Sequence, residues 1–292
     1  MKVLLTGANG QLGIDVASVF EATGTHEVVG LGHADLDVSN RESVLACVTT
    51  VEPDAIIHCA AWTAVDACES DEAKAYAVNA MGSRNIAEAA ARVNAHLCAL
   101  STDYVFDGTK LGAYSEWDTP NPQSVYGRSK LAGEREVQSF VSNRGDASVA
   151  ASIVRTSWVC GPHGSNMVKT VLRAAADPDR KLAFVDDQRG CPTFTSDLAD
   201  ALYKLVVGRI PGLFHVTNSG PVSWFEFAQA IVRESGGDVS RIRAISSAEL
   251  DPPRPAPRPM NSVLDHQAWR LVGFEELPHW ERSLVHTIKT LA

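Results

Sequence analysis

The sequence predicts a doubly wound α/β protein, a parallel sheet covered by helices on both faces, with a smaller C-terminal α/β region. Three observations carry that prediction. Short apolar runs alternate with helical patterns through the first half of the 292 residues. The runs are nearly continuous rather than alternating, as in strands buried on both faces. Strand then helix, repeated, makes right-handed crossovers and hence a parallel sheet, and a chain this long buries about 75 % of its unfolded surface without staples.

Each segment has a local reason. Val3-Leu4-Leu5 is the first strand, and 11–23 is a helix with apolar positions three and four apart. Val28-Val29-Gly30-Leu31 and Ala55-Ile56-Ile57 are the next strands, followed by the Ala- and Glu-rich helical stretch 72–94. His96-Leu97-Cys98-Ala99-Leu100, a helix at 129–143 and an apolar run at 147–154 complete the alternation. After about Ser157 the texture is mixed: a Gly/Pro turn at 161–164, a helix at 166–176, a strand at 182–185, a helix at 195–207 and an apolar segment, 213–216, suited to rejoin the sheet. Asp251 to Pro259 carries five prolines in its last eight residues, so it is neither helix interior nor central strand and is expected as an ordered loop or a lid.

Composition narrows the partners. Lys and Arg number 26 against 35 Asp and Glu, a net charge of −9 with no basic cluster. That balance argues against a nucleic-acid backbone or an anionic membrane surface. Cys47, Cys59, Cys68, Cys98, Cys160 and Cys191 lie scattered without a C-x-x-C pair, as expected of free thiols in a reducing compartment. No window approaches the ~20 apolar residues of a membrane span, and no apolar leader precedes Thr6-Gly7, so a soluble cytoplasmic protein is expected.

Thr6-Gly7-Ala8-Asn9-Gly10-Gln11-Leu12-Gly13 follows the first strand and opens the first helix. Its glycines, Gly7, Gly10 and Gly13, let the backbone turn sharply, approach a pyrophosphate and pack helix on strand, while the helix N-terminus supplies N–H donors. In that position the pattern marks a Rossmann-type dinucleotide loop. Residues 1–156 are accordingly expected as an NAD(P)-binding domain with a returning segment at 193–217, and 157–292 as a substrate-binding region. The second strand ends in Leu31-Gly32-His33, and the acids Asp35 and Asp37 come late for a ribose 2′-hydroxyl. NADPH therefore stays open beside NADH, with His33 a potential phosphate contact.

Tyr126-Gly127-Arg128-Ser129-Lys130 sets a phenol and an ammonium four apart, on one face of a helix, and this spacing occurs once in the chain. A phenol titrating near ~10 needs a nearby cation to work as an acid–base group at neutral pH. Thr102 follows the fourth strand, at the sheet end where open α/β folds bind ligands, and its hydroxyl is suited to bond a substrate carbonyl oxygen. Asp103 beside it is either a loop cap or a substrate contact.

Together these motifs resemble the extended short-chain dehydrogenase/reductases. Ala60-Ala61-Trp62-Thr63-Ala64-Val65-Asp66, the segments 101–108, 125–133 and 187–193, Arg155-Thr156-Ser157-Trp158-Val159 and Arg258-Pro259-Met260-Asn261-Ser262 narrow the resemblance to the dTDP-4-dehydrorhamnose reductases, across nearly the whole chain. The resemblance implies hydride transfer from NADPH or NADH to the C4 ketone of dTDP-4-dehydro-β-L-rhamnose, giving dTDP-β-L-rhamnose. It makes Tyr126 the proton donor, has Lys130 hold the nicotinamide ribose and depress the tyrosine pKa, and has Thr102 bond the substrate oxygen. The cofactor falls to Gly7, Asn9, Gly10, Gln11, Leu12 and Gly13, to Asp37 and Val38 at the adenine, and to Ala60, Ala61 and Thr63. Thr63, Asp103, Tyr104 and Trp158 fall to the sugar and Arg258 to the diphosphate. His58-Cys59 and Cys160 depart from the family pattern without touching these groups. Some relatives hold Mg²⁺ at a dimer interface; Asp15 is the equivalent carboxylate, but one carboxylate on a helix commits to no metal, and a homodimer stays open. The alternatives are another sugar-nucleotide reductase or epimerase of the same fold, or a non-catalytic protein like the methionine adenosyltransferase β-subunit.

Overall fold

The computed structural model describes residues 1–142 and 150–291. Its central sheet has six parallel strands: β1 (Lys2–Thr6), β2 (Glu27–Leu31), β3 (Ala55–His58), β4 (His96–Thr102), β5 (Ala151–Thr156) and the strand Gly212–His215. Across the sheet they run β2, β1, β3, β4, β5, Gly212–His215. The order reverses direction between β1 and β3, and that switch point opens a crevice above the carboxyl ends of the strands.

The helices are α1 (Gln11–Ala22), α2 (Arg41–Val51), α3 (Val65–Ser70), α4 (Glu72–Tyr76), α5 (Gly82–Arg92), α6 (Val125–Ser142), α7 (Met167–Ala175), α8 (Thr195–Val207), α9 (Trp224–Glu234), α10 (Gln267–Leu271) and α11 (Trp280–Leu291). Side-chain alternation in the strands explains their unbroken apolar runs. Val3 and Leu5 of β1 and Ile57 of β3 pack with Val16 and Phe20 of α1 and Leu198 and Leu202 of α8. Leu4 and Ile56 point the other way, onto Val44 and Val48 of α2 and Ile86 and Ala90 of α5. Each aliphatic side chain so buried contributes about 1.5–3 kcal/mol.

Several boundaries differ from the expectation. The stretch 72–94 is not one α-helix, because a π turn, Ala77–Met81, separates α4 from α5. There the buried Asn79 side chain holds Trp62, accepting from its amide at 2.8 Å and donating to its carbonyl at 3.1 Å, and it also donates to Ser129 Oγ at 3.0 Å. The catalytic-motif helix starts at Val125 rather than 129, since Val125 N donates to the Glu69 carboxylate and Gly127 N to Ser124 Oγ. Its expected last residue, Asn143, and residues 147–149 of the expected fifth strand lie outside the described residues; the described strand begins at Ala151. Helix α2 has no counterpart in the expectation: it buries only Val44 and Val48, too thin a stripe to stand out.

Past β5, α8 packs on α1 and Gly212–His215 extends the sheet. A separate apolar cluster joins Val168 and Val171 of α7, Phe227 and Ile231 of α9, and Leu284 of α11. Beside it, Leu182–Val185 pairs in parallel with Ile242–Ile245. Among the described residues no helix is long and apolar enough to cross a membrane.

Candidate active site

A cavity of about 470 Å³ lies over the switch point. Its floor is Gly7, Asn9 and Gly10 after β1, one wall is Gly32, His33, Leu36, Asp37 and Val38 after β2, and the other is Cys59, Ala60, Ala61 and Trp62 after β3, closed by Lys74 and Val78. Gly7 has φ +71°, and a Cβ there would sit 2.8 Å from Ala60 N; at Gly13 it would sit 2.3 Å from the Gly7 carbonyl oxygen. Larger residues would fill this cradle, so its shape fits a pyrophosphate at the N-terminus of α1. Gln11 and Leu12 do not line the cavity: Gln11 Oε1 accepts from Asn166, and Leu12 is in the core. Each acid after β2 has one carboxylate oxygen engaged locally. Asp35 Oδ2 accepts from Gly32 N at 2.8 Å, and Asp37 Oδ1 accepts from the Ser39 hydroxyl and amide, which hold it below the usual carboxylate range.

The side chains expected to do the acid–base chemistry meet where β4 ends against α6. Tyr126 is 8 % exposed, and its ring meets Tyr104 edge-on at 5.5 Å between centroids. Burial pushes the phenol above its ordinary pKa, against the Thr102 hydroxyl beside it. Lys130 is not among the groups that bear most on the phenol, and loss of hydration raises it because a phenolate is poorly solvated in so dry a site. Lys130 Nζ donates to the Leu100 carbonyl at 2.6 Å, and burial brings the ammonium down to about 8, opposed by Glu134 and Cys59. Thr102 Oγ1 donates to Asp103 Oδ1 at 3.0 Å, and burial raises the Asp103 carboxyl to about 6. His58, on Thr6 Oγ1 at 2.8 Å, is held down to about 3 by burial and by the Lys130 charge, so it is neutral.

One turn along α6, Glu134 forks onto Arg155 of β5 at 2.8 and 2.7 Å, both side chains 3 % exposed, and takes the Ser101 hydroxyl as well. A smaller cavity of about 210 Å³ lies between Tyr104, Phe106, Gln123, Ser124 and the proline run at Pro257, Arg258 and Pro259.

The fold thus gathers Tyr126, Lys130, Thr102, Asp103 and Tyr104, and separately Gly7, Asn9, Gly10, Asp37, Val38, Ala60 and Ala61. Thr63 is exposed and lines neither cavity. Trp158 lies outside both linings too, stacked on Trp224 at 3.4 Å with the rings 5° apart. Arg258 forks onto Asp66, a partner the sequence reading did not connect to it. Lys74, Trp62 and Val78 are lining residues that pattern reading missed; Lys74 lies in a short helix and stands 4.6 Å over the Trp62 ring, a pairing with no local signature. Asp15 faces His163 Nε2 at 3.3 Å, and no group of three His, Cys, Asp or Glu among the described residues forms a metal-ligand set.

A glycine cradle at the switch point of a parallel sheet, with a buried Tyr/Lys pair beside it, defines the dinucleotide-binding reductase class. The family model described as RmlD substrate binding domain matches residues 1–292. A dTDP-4-dehydrorhamnose reductase of Streptomyces griseus is 41 % identical over 293 residues, 99 % of this chain and 93 % of the relative. The crystal structure of a dTDP-4-dehydrorhamnose reductase from Clostridium acetobutylicum is 40 % identical with a TM-score of 0.93, covering 100 % of this chain and 99 % of that one. One from Bacillus anthracis, in complex with NADP, is 37 % identical with a TM-score of 0.91, covering 99 % of each. The chain belongs to the dTDP-4-dehydrorhamnose reductase family.

Proposed function

We propose that this protein reduces the C4 ketone of dTDP-4-dehydro-β-L-rhamnose to dTDP-β-L-rhamnose with NADPH or NADH. The observation that carries the reading is the buried, protonated Tyr126 phenol beside the Thr102 hydroxyl, at the sheet end next to the glycine cradle. Reduction needs an acid, and a phenol whose pKa is raised keeps its proton until an alkoxide forms next to it. Thr102 orients the carbonyl oxygen, and Lys130, still largely cationic at pH 7, holds the nicotinamide ribose. Gly7, Asn9, Gly10 and Gly13 hold the pyrophosphate and Asp37, Val38, Ala60 and Ala61 the nucleoside, while the bound nicotinamide supplies the hydride. Residues 157–292, apart from the returning segment 193–217, serve the sugar nucleotide. The six free thiols suit a reducing cytoplasm.

The direct test mixes the purified chain with the 4-keto nucleotide sugar and either NADPH or NADH, and follows absorbance of the reduced cofactor. Stoichiometric oxidation with formation of the 4-hydroxy sugar is expected. Absence of oxidation with both cofactors overturns the reading, and sugar isomerisation without net oxidation points to an epimerase.

A further inference from the structure

Lys130 and Glu134 lie one turn apart on α6, and each is tied to one of two consecutive residues of β4. Lys130 Nζ donates to the Leu100 carbonyl at 2.6 Å, and Ser101 Oγ donates to Glu134 Oε1 at 2.5 Å. Arg155 stands opposite Ser101 in the β4–β5 register and adds its fork onto Glu134, Nε at 2.8 Å and Nη2 at 2.7 Å. Arg155 is itself steadied, with its guanidinium 5.1 Å over the Phe106 ring and Nη1 3.4 Å from His215 Nε2. Lys130, Gly133 and Glu134 border one void of about 10 Å³ with Leu100 and Ser101, so the ammonium and the ion pair belong to one packed layer.

We propose that Glu134 is a positioning residue for the cofactor: through Ser101 and Arg155 it fixes α6 against β4, and with it the reach of the Lys130 ammonium. The proposal rests on Lys130 holding the nicotinamide ribose. Glu134 and Ser101 do not line the 470 Å³ cavity, so their effect on a cofactor passes through Lys130. Other contacts of α6, through Leu131 and Val137, are apolar and non-directional, and they tolerate a small slide. A hydrogen bond of 2.6 Å does not: a shift of about 1 Å carries it out of range. Gly133 bounds α6 on the side of the π turn, where a Cβ would sit 2.4 Å from the Asn79 carbonyl oxygen, and Glu134 bounds it on the side of the strands. A buried ion pair gains little over apolar residues of equal volume, because both charges lose their hydration, and its best-attested use is to set register. Here the register places a flexible lysine stem on a fixed base, which lowers the cost of ordering its head on a ligand.

The test compares Ser101→Ala and Glu134→Gln with the wild type in calorimetric titrations of the full chain with NADPH, NADH and ADP. ADP carries the adenosine and the pyrophosphate but lacks the nicotinamide ribose. NADPH and NADH affinity are expected to fall about threefold in Ser101→Ala, for one hydrogen bond, and about tenfold in Glu134→Gln, for the charge. ADP affinity is expected to stay within about twofold of the wild type in both. Ser101→Ala keeps the buried ion pair, so it decides the matter alone if Glu134→Gln does not fold. Lys130→Met combined with Ser101→Ala is expected to bind NADPH as Lys130→Met alone does, because the two losses share one route. Unchanged NADPH and NADH affinity in Ser101→Ala overturns the proposal. An equal loss of ADP affinity overturns it as well, since that is what a loosened fold gives, and so do additive losses in the double variant. Wild-type NADPH and NADH affinity in Lys130→Met alone instead overturns the ribose role of Lys130 on which the proposal stands.

Discussion

Arg258 of the proline run forks onto Asp66 of α3, 192 residues away in sequence, with Nη2 on Oδ2 at 2.8 Å and Nη1 on Oδ1. The Ala256 amide donates to the same carboxylate at 3.1 Å, so one aspartate ties down both ends of Ala256-Pro257-Arg258. The Arg258 guanidinium side chain is only 10 % exposed, and it borders the small cavity beside Tyr104. The pair therefore sets where the run stands relative to the tyrosines.

Asp66→Asn removes the charge and leaves the largely buried Arg258 cation without its partner. We expect KM for the nucleotide sugar to rise about tenfold, equivalent to ~1.4 kcal/mol, with NADPH affinity unchanged. Initial-rate kinetics with a parallel fluorescence titration of NADPH separates the two; equal loss of both affinities would count against a local role.

Tyr126→Phe keeps the ring packed on Tyr104 and deletes the hydroxyl proposed as the acid. Turnover should drop by roughly 10²–10⁴ while the dissociation constant for NADPH stays within a factor of about two. Near-normal turnover in this variant would place the acid elsewhere.

Lys130→Met preserves the apolar stem and removes the ammonium. Cofactor affinity and kcat should both fall, the first by about tenfold for a lost charged hydrogen bond. His58 loses the cation that helps hold it neutral, so its pKa should move up from about 3, which NMR titration of the imidazole would register.

The pair Glu134–Arg155 predicts a large stability change. Glu134→Gln leaves Arg155 buried with its charge unmatched, and such losses cost about 3–5 kcal/mol. Urea unfolding checks this; a midpoint equal to wild type would show the charge is relieved locally, for instance at His215, which lies 3.4 Å from Arg155 Nη1.

Acid should unfold the chain earlier than its carboxylates alone dictate. His58 and His215 are both held down to about 3 by burial, against 6.5 when unfolded. Between those values the unfolded state binds more protons, so stability rises with pH and is lost as pH falls from about 6.5 toward 3, by roughly 1.4 kcal/mol per unit for each histidine. Chemical denaturation at pH 7 and pH 5 should show the loss, and His58→Asn should reduce it.

Periodicity and glycine placement were sufficient to read the sheet from the sequence. Unbroken runs such as Ala55-Ile56-Ile57 arise because both faces of a parallel strand are covered, and Gly13 is required by contacts within the loop's own few residues, whereas Gly7 is also required by the close approach of Ala60 after β3. The Tyr126/Lys130 pair was equally legible, since i and i+4 share a helix face whatever the rest of the fold does. Only the tertiary structure decided what surrounds that pair. That the phenol is raised rather than lowered depends on burial by segments distant in sequence, and the pairing of Arg258 with Asp66 depends on a loop closing over α3. The π turn that brings Asn79 to Trp62 and Ser129, and the Thr102–Asp103 hydrogen bond at the end of β4, are likewise set by how elements dock, because hydration and partner geometry are properties of the assembled core rather than of any local spacing.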